Sequence, residues 1–214
     1  MPESLIEETQ PSILKRAQQT VAVIIPAQNE EKSIGHVLAD IPRKIASQVV
    51  VVDNASDDAT AEQADRGGAM VVREPRKGYG YACLAGMAYC EKLEPRPDII
   101  VFVDADYSDH PGEMELLIEP ILHGDADLVI GSRALGERER GSMTPAQVFG
   151  NRLATFLLKQ FYGVSFTDLG PFRAIRFDAL QELKMQDKTY GWTVEMQVKA
   201  AKHKLKCTEV PVSY

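Results

Sequence analysis

The chain has 214 residues, of which 44% are apolar and 26% charged, and its formal net charge is -7. That length suffices for one well-buried α/β domain without evident room for a second, and the ordinary apolar content excludes a disordered or fibrous protein. The acidic balance excludes nonspecific nucleic-acid binding, so an anionic ligand must be held by a local basic cluster or by a metal.

Residues 1–20 are polar with weak periodicity and read as a loosely held helix or tail, with no basic-then-apolar secretory pattern. From Val21 the texture alternates β-branched runs with helical stretches. Strands are predicted at Val21–Ile25, Gln48–Val52, Ala69–Val72, Ile99–Val103 and Leu128–Ile130, and helices at Lys32–Ile41, Asp58–Arg66, Tyr79–Lys92 and Gly112–His123. Such alternation with short loops means a mostly parallel sheet with right-handed crossovers. Ser56 or Asp57 is expected to cap the helix near Asp58. Leu135–Met143, charged and glycine-bearing, reads as a mobile loop in which Arg138 and Arg140 suit a lid. A helix then spans Pro145–Tyr162, with Asn151, Thr155 and Lys159 as a polar stripe and apolar residues on its other faces. Most of that apolar surface is expected to pack on the sheet, with a membrane interface as the alternative. A last strand is expected at Thr208–Val212.

Cys83, Cys90 and Cys207 have no metal-type spacing and cannot form a full disulfide framework; Cys83 and Cys90 read as core thiols in a reducing compartment. No run reaches the roughly 18 apolar residues of a membrane span. The expected location is the cytosol, or the cytosolic face of a membrane.

The feature richest in chemistry is Asp104-Ala105-Asp106, placed directly behind the apolar run Ile99–Val103. The carboxyl ends of parallel strands open onto the ligand crevice of an α/β sheet. Two carboxylates separated by one small residue can share a hard divalent cation together with substrate phosphates, although an acidic turn after a core strand has the same appearance. Pro26-Ala27-Gln28-Asn29-Glu30 and Asp53-Asn54-Ala55-Ser56-Asp57 close the first two strands and should face the same crevice. Asp53 is suited to the N–H edge of a nucleobase. Three acidic strand ends on one edge repel one another unless a ligand or cation compensates. Arg73, Arg76 and Lys77 lead into Gly78-Tyr79-Gly80 and read either as a phosphate-receiving loop or as a solvated one. The dinucleotide-binding signature fails because Cys83 stands at its third glycine position.

Taken together, Pro26 to Glu30, the Asp53 cluster, Lys77-Gly78, Asp104-x-Asp106 and Gly131-Ser132-Arg133 resemble glycosyltransferase family 2, specifically its polyprenyl-phosphate (dolichyl-phosphate mannose synthase-like) branch. The resemblance covers Val21 to Tyr214. It implies a single Rossmann-like GT-A domain over 21–214, with a nucleotide-sugar-binding half at 21–133 and an acceptor-side half at 134–214. It further implies a UDP- or GDP-sugar donor, Mg²⁺ or Mn²⁺, and inversion at the anomeric carbon. Pro26, Asn29, Glu30 and Asp53 would surround the base and ribose, with Lys77, Gly78 and Ala105 also on the donor. Asp104 would contact nucleotide and metal, Asp106 would be the main metal ligand, and Arg133 would stand near the diphosphate or acceptor. Departures from the family pattern are Asn54 in place of a second aspartate, and Tyr107-Ser108-Asp109-His110-Pro111 in place of a Gln-His-Pro run, which leaves Asp109 or Ser108 to complete the metal shell. The stretch Asp168-Leu169-Gly170-Pro171-Phe172-Arg173 replaces an Asp followed by Ser-Gly-Phe-Arg. Related chains commonly continue past the last strand into a basic closing segment, so the expectation is a shortened chain or a loosely held donor.

A hydroxyl acceptor needs a general base, whereas a lipid monophosphate, with a second pKa near 6, does not. The only acceptor-side carboxylates in suitable places are Asp168 and Glu195, and Glu195 at a helix start also simply favours the macrodipole. The sequence therefore predicts an inverting hexosyltransferase acting on a polyprenyl phosphate. The alternatives are a sugar or small hydroxyl acceptor with Asp168 as base, and a non-catalytic nucleotide-sugar-binding subunit. Peripheral membrane contact and homo-oligomerisation are the other partners considered.

Overall fold

The structure, a computed structural model, describes residues 19–136 and 145–214. The expected N-terminal tail lies almost wholly outside the described residues, as do Arg138 and Arg140 of the expected lid. Seven strands form one sheet: β1 (Val21–Ala27), β2 (Ala46–Asp53), β3 (Met70–Arg73), β4 (Ile99–Phe102), β5 (Leu128–Ser132), β6 (Arg173–Arg176) and β7 (Cys207–Pro211), in the order β3-β2-β1-β4-β6-β5-β7. Strands β3, β2, β1 and β4 run parallel, β6 is antiparallel to both β4 and β5, and β7 is parallel to β5. The helices are α1 (Ile34–Asp40), α2 (Thr60–Arg66), α3 (Tyr79–Cys90), α4 (Met114–Leu122), α5 (Pro145–Tyr162), α6 (Phe177–Leu183) and α7 (Trp192–Lys202).

Both faces of the sheet are covered, which is why its central strands read as unbroken apolar runs rather than alternating ones. Val21, Val23 and Ile25 of β1 join a core with Ile34, Val37 and Leu38 of α1 and Met114, Leu117 and Ile118 of α4. Ala22 and Ile24 face the other way, into a core with Ala82, Cys83 and Cys90 of α3, Leu180 of α6 and Trp192 and Met196 of α7. Cys83 and Cys90 are buried free thiols, as expected.

Two sequence expectations require correction, and two elements were not expected. The antiparallel strand β6 and the helix α6 were not predicted; β6 is four residues long with an arginine at each end, and so lacks the appearance of a core strand. Helix α2 starts at Thr60 without a side-chain cap, because the Ser56 hydroxyl instead accepts the Asn29 amide at 3.0 Å and the Asp57 amide donates to Asn29 Oδ1 at 2.8 Å. On α5, Leu158 is buried, but Leu153, Phe156 and Phe161 are exposed at 47%, 61% and 72%, so much of the apolar surface expected on the sheet faces outward. No described helix is long and apolar enough to cross a membrane.

Helix α3 lies unusually close to β1. A Cβ on Gly86 would stand 2.5 Å from Ile24 Cγ2 and 3.2 Å from Val52 Cγ2. Gly86→Val is expected to destabilise the fold by at least about 1–3 kcal/mol through overpacking, read as a lower urea midpoint with an unchanged m-value.

Candidate active site

The carboxyl ends of β1, β2 and β4 meet at a cleft of about 180 Å³ lined by Pro26, Ala27, Gln28, Glu30, Asn54, Tyr79, Ala82, Asp104, Ala105, Asp106 and Tyr190. The turns leaving these three strands hold Asn29, Ala55 and Tyr107 at φ of 58°, 55° and 64°. Asparagine adopts left-handed backbone readily but alanine and tyrosine do so uncommonly, and the clustering at one edge marks turns fixed by their surroundings.

The loops after β1 and β2 are tied together by a dense set of bonds. Beyond the Asn29 contacts, the Glu30 amide donates to Thr60 Oγ1 at 2.7 Å, the Glu31 amide to Asp58 at 3.2 Å, and the Ala59 amide to Glu31 at 3.1 Å. Asp53 is buried and accepts the Ser56 amide at 3.1 Å. Asn54 donates its side-chain amide to the carbonyls of Glu74 (3.2 Å) and Arg76 (2.7 Å), and its Oδ1 accepts the Gly78 amide at 2.8 Å. An aspartate could not make the two donated bonds, which gives a physical reason for asparagine at this position. The basic loop is thereby held against the strand ends. Within it Arg76 pairs with Glu74 at 2.7 Å and covers the Tyr81 ring at 4.4 Å, while Lys77 reaches Asp57 at 3.6 Å. Thus Pro26, Glu30, Asp104, Ala105 and Asp106 line the cleft, whereas Asn29, Asp53, Lys77 and Gly78 are bonded among the loops that frame it.

The acidic tip of β4 is undercompensated. Asp104 accepts the Tyr79 hydroxyl at 3.0 Å, and burial, reinforced by the Asp106 charge, pushes its carboxyl up to about 7. Asp106 is exposed and accepts the Ser108 amide at 2.9 Å. Asp109 is 1% exposed, and among the described residues neither of its oxygens has a partner at full hydrogen-bond geometry; burial, then the Asp104 charge, pushes it up to about 8. Carboxyls kept uncomfortable in this way, with oxygen donors only, fit a hard divalent cation. They do not form a finished cage, since no group of three or more His, Cys, Asp or Glu side chains placed to hold a metal occurs among the described residues.

On the far side of β4 the carboxylates already have partners. Asp168 is buried and forms a bidentate pair with Arg133, Nε to Oδ2 and Nη2 to Oδ1 both at 2.8 Å, and also accepts the Arg133 amide at 2.9 Å. Burial opposes its ionisation, but Arg133 outweighs this and holds the carboxyl below the usual range. The opposite face of Arg133 meets the Tyr214 ring at 4.7 Å. Arg173, named in the sequence only as the end of the 168–173 stretch and given no role there, is fully buried and donates to the carbonyls of Leu169, Gly170 and Thr193; burial pushes it down to about 10. Glu195 accepts the Gln186 amide at 2.9 Å and the Asp187 amide at 2.7 Å and pairs with Lys199 at 2.7 Å. Burial raises its pKa, but Lys199 and the two amides outweigh this, leaving it low. Both candidate bases are therefore poor proton acceptors in this arrangement.

The sheet is mostly parallel, with an antiparallel strand let in beside an acidic strand tip, and has the GT-A fold. Glucosyl-3-phosphoglycerate synthase from Mycobacterium tuberculosis, solved with Mn²⁺, UDP and glucosyl-3-phosphoglycerate, shares the fold at a TM-score of 0.73 and 23% identity, covering 100% of this chain and 76% of that one. The chain belongs to glycosyl transferase family 2, which it matches over residues 22–184. It is 37% identical over 200 residues to an uncharacterized glycosyltransferase of Mycobacterium tuberculosis, covering 92% of this chain and 86% of the relative. It is also 30% identical over 205 residues to the undecaprenyl-phosphate mannosyltransferase of Micrococcus luteus, covering 91% and 83%.

The Arg133–Asp168 pair yields a stability prediction. Arg133→Ala leaves a buried carboxylate without its cation and is expected to cost about 3–5 kcal/mol, measured by chemical denaturation. Because the folded pKa of Asp168 is depressed, its contribution is complete above the unfolded carboxyl value of about 4 and is lost as pH falls through the lower folded value. Asp168→Asn is expected to flatten the acid limb of the Tm-against-pH curve.

Proposed function

We propose that the protein is an inverting, divalent-metal-assisted hexosyltransferase that takes a hexose from a UDP- or GDP-sugar and transfers it to a polyprenyl phosphate. The observation that carries this reading is the engagement of both acceptor-side carboxylates, Asp168 with Arg133 and Glu195 with the Gln186–Asp187 backbone and Lys199. An acceptor that is already an anion needs no base, and a phosphate monoester largely ionised at neutral pH meets that condition. The relative that acts on undecaprenyl phosphate supports the same acceptor class, and the outward Leu153, Phe156 and Phe161 of α5, near Lys159, suit a lipid-bearing substrate at a membrane surface.

In this reading Pro26, Asn29, Glu30 and Asp53 surround the base and ribose. Asp104 and Asp106 would hold the cation, with Asp109 or Ser108 able to complete its shell beside the donor. The Mn²⁺ and UDP of the solved neighbour support the coarser choice of a divalent ion and a nucleotide donor. The ion supplies Lewis-acid neutralisation of the leaving diphosphate. Arg133, fixed between Asp168 and Tyr214, positions the acceptor phosphate in line with the anomeric carbon. Residues 21–133 form the donor half and 134–214 the acceptor half. The protein works in the cytosol or at the cytosolic face of a membrane.

A second reading keeps the donor and takes a hydroxyl acceptor, with Asp168 as base; the neighbour solved with phosphoglyceric acid and UDP-glucose keeps that reading open. Transfer from radiolabelled UDP-glucose and GDP-mannose, with Mn²⁺ or Mg²⁺, to undecaprenyl phosphate and to 3-phosphoglycerate separates the two. Label is expected in the lipid product, and Asp106→Asn is expected to reduce transfer at least about 100-fold. Transfer to the hydroxyl acceptor alone overturns the proposed acceptor, and donor binding with no transfer to either returns the binding-subunit reading.

A further inference from the structure

The segment between α6 and α7 is built with more care than a connection requires. Met185 and Trp192, at its two ends, are buried, and Gln186 to Thr189 between them are each tied down. Glu195 accepts the Gln186 and Asp187 amides, and Asp187 Oδ1 accepts the Thr189 amide at 2.7 Å and its hydroxyl at 3.1 Å. The Lys188 carbonyl accepts the Tyr81 amide of α3 at 3.3 Å.

The seat of this loop explains the glycine pair that failed as a dinucleotide signature. A Cβ on Gly78 would collide with the Lys188 carbonyl oxygen, and one on Gly80 with the Asp187 carbonyl oxygen. A Cβ on Gly191 would likewise strike the Asp187 carboxylate. Gly78 and Gly80 therefore allow two backbones to touch, a use of glycine that needs no phosphate, while Gly191 leaves room for the Asp187 carboxylate within the loop. The result of this fixing is Tyr190. Its side chain is 85% exposed, the most exposed aromatic among the described residues, yet it lines the cleft with Tyr79, Ala82 and Asp104. A rigid loop that presents a large aromatic ring to solvent at the mouth of a cleft has made no use of that ring in the fold.

We propose that Tyr190 is a donor-binding residue whose ring stacks on the nucleoside of the nucleotide-sugar, with Glu195 as the positioning residue that holds its loop. The proposal rests on the donor reading given above. The nucleoside end is favoured over the sugar because the loop sits on Gly78 and Gly80, and the Gly78 amide is held by Asn54, next to Asp53. A flat base also offers an aromatic ring its best partner, and such stacking is sequence-tolerant.

The test is calorimetric titration of UDP, GDP, UDP-glucose and GDP-mannose, each with Mn²⁺, into the full chain and into Tyr190→Ala and Tyr190→Phe. For whichever base binds, Tyr190→Ala is expected to weaken the free nucleoside diphosphate and its sugar alike, by roughly tenfold, while Tyr190→Phe binds as the wild type does. The Tm of Tyr190→Ala without ligand should match the wild type, because the ring is exposed. Wild-type affinity in Tyr190→Ala overturns the inference and leaves the donor reading intact. A loss confined to the sugar-bearing ligands overturns the nucleoside placement, and an equal loss in Tyr190→Phe overturns stacking. A wild-type protein that binds none of the four ligands removes the donor reading and this inference with it.

Discussion

The crowding of carboxyl groups at one edge of the sheet is the constraint to which the rest of the molecule answers. Two unit charges 4 Å apart repel by about 4 kcal/mol at the effective dielectric of a protein surface, and by more where water is excluded. Asp104, Asp106 and Asp109 gather near the end of β4, with Asp104 half-buried and Asp109 buried, and Asp168 lies on the far side of that strand. Arg133 pairs directly with Asp168, whereas burial and the neighbouring carboxylates push the pKa values of Asp104 and Asp109 upward. A site in this condition gains from any cation that binds there, so the discomfort of the acidic tip and its fitness for a metal are one property.

Around that tip the backbone is fixed by side chains that themselves need not touch a substrate. Asn29 and Asn54 bridge the loops after β1, β2 and β3, and Glu195 holds the loop that meets the start of α3. Glu113, in the turn after Asp109, accepts both the amide and the hydroxyl of Ser213. Through Ser213 and Tyr214 the last residues of the chain thus touch both the acidic loop and Arg133. Geometry is maintained by polar contacts over long sequence separations, a division of labour expected where reacting groups sit on loops over a rigid scaffold.

Much of this was legible in the sequence, for definite reasons. Strands buried on both faces advertise themselves as β-branched runs, so β1, β2, β4 and β5 and the residues at their carboxyl ends were found where they lie. Strand β6 escaped because Arg173 and Arg176 bound it, and a fully buried arginine is recognised only once its carbonyl partners are in place. The engagement of Asp168 depends on Arg133, 35 residues away, and no local pattern reports a pairing of that kind. Periodicity found the two kinds of face on α5 but not which one turns inward. Asn151 of the polar stripe bonds the backbone of Thr167 and Leu169, leaving Phe156 and Phe161 outside.

The insertion of β6 between β4 and β5 has a consequence for how the chain acquires its structure. On emerging from a ribosome, β1 to β4 can assemble among themselves, since each finds a partner already made. Strand β5 cannot, because its two sheet neighbours, β6 and β7, are both encoded later. Until Arg173–Arg176 arrives, β4 and β5 each present a bare hydrogen-bonding edge of apolar residues, and such edges invite pairing with other molecules. The distant closure that completes the sheet also makes slow maturation the expected behaviour of this topology. Strands β6 and β7, both late in the chain, thus bound the period during biosynthesis when these edges of the nascent polypeptide stay open to aggregation.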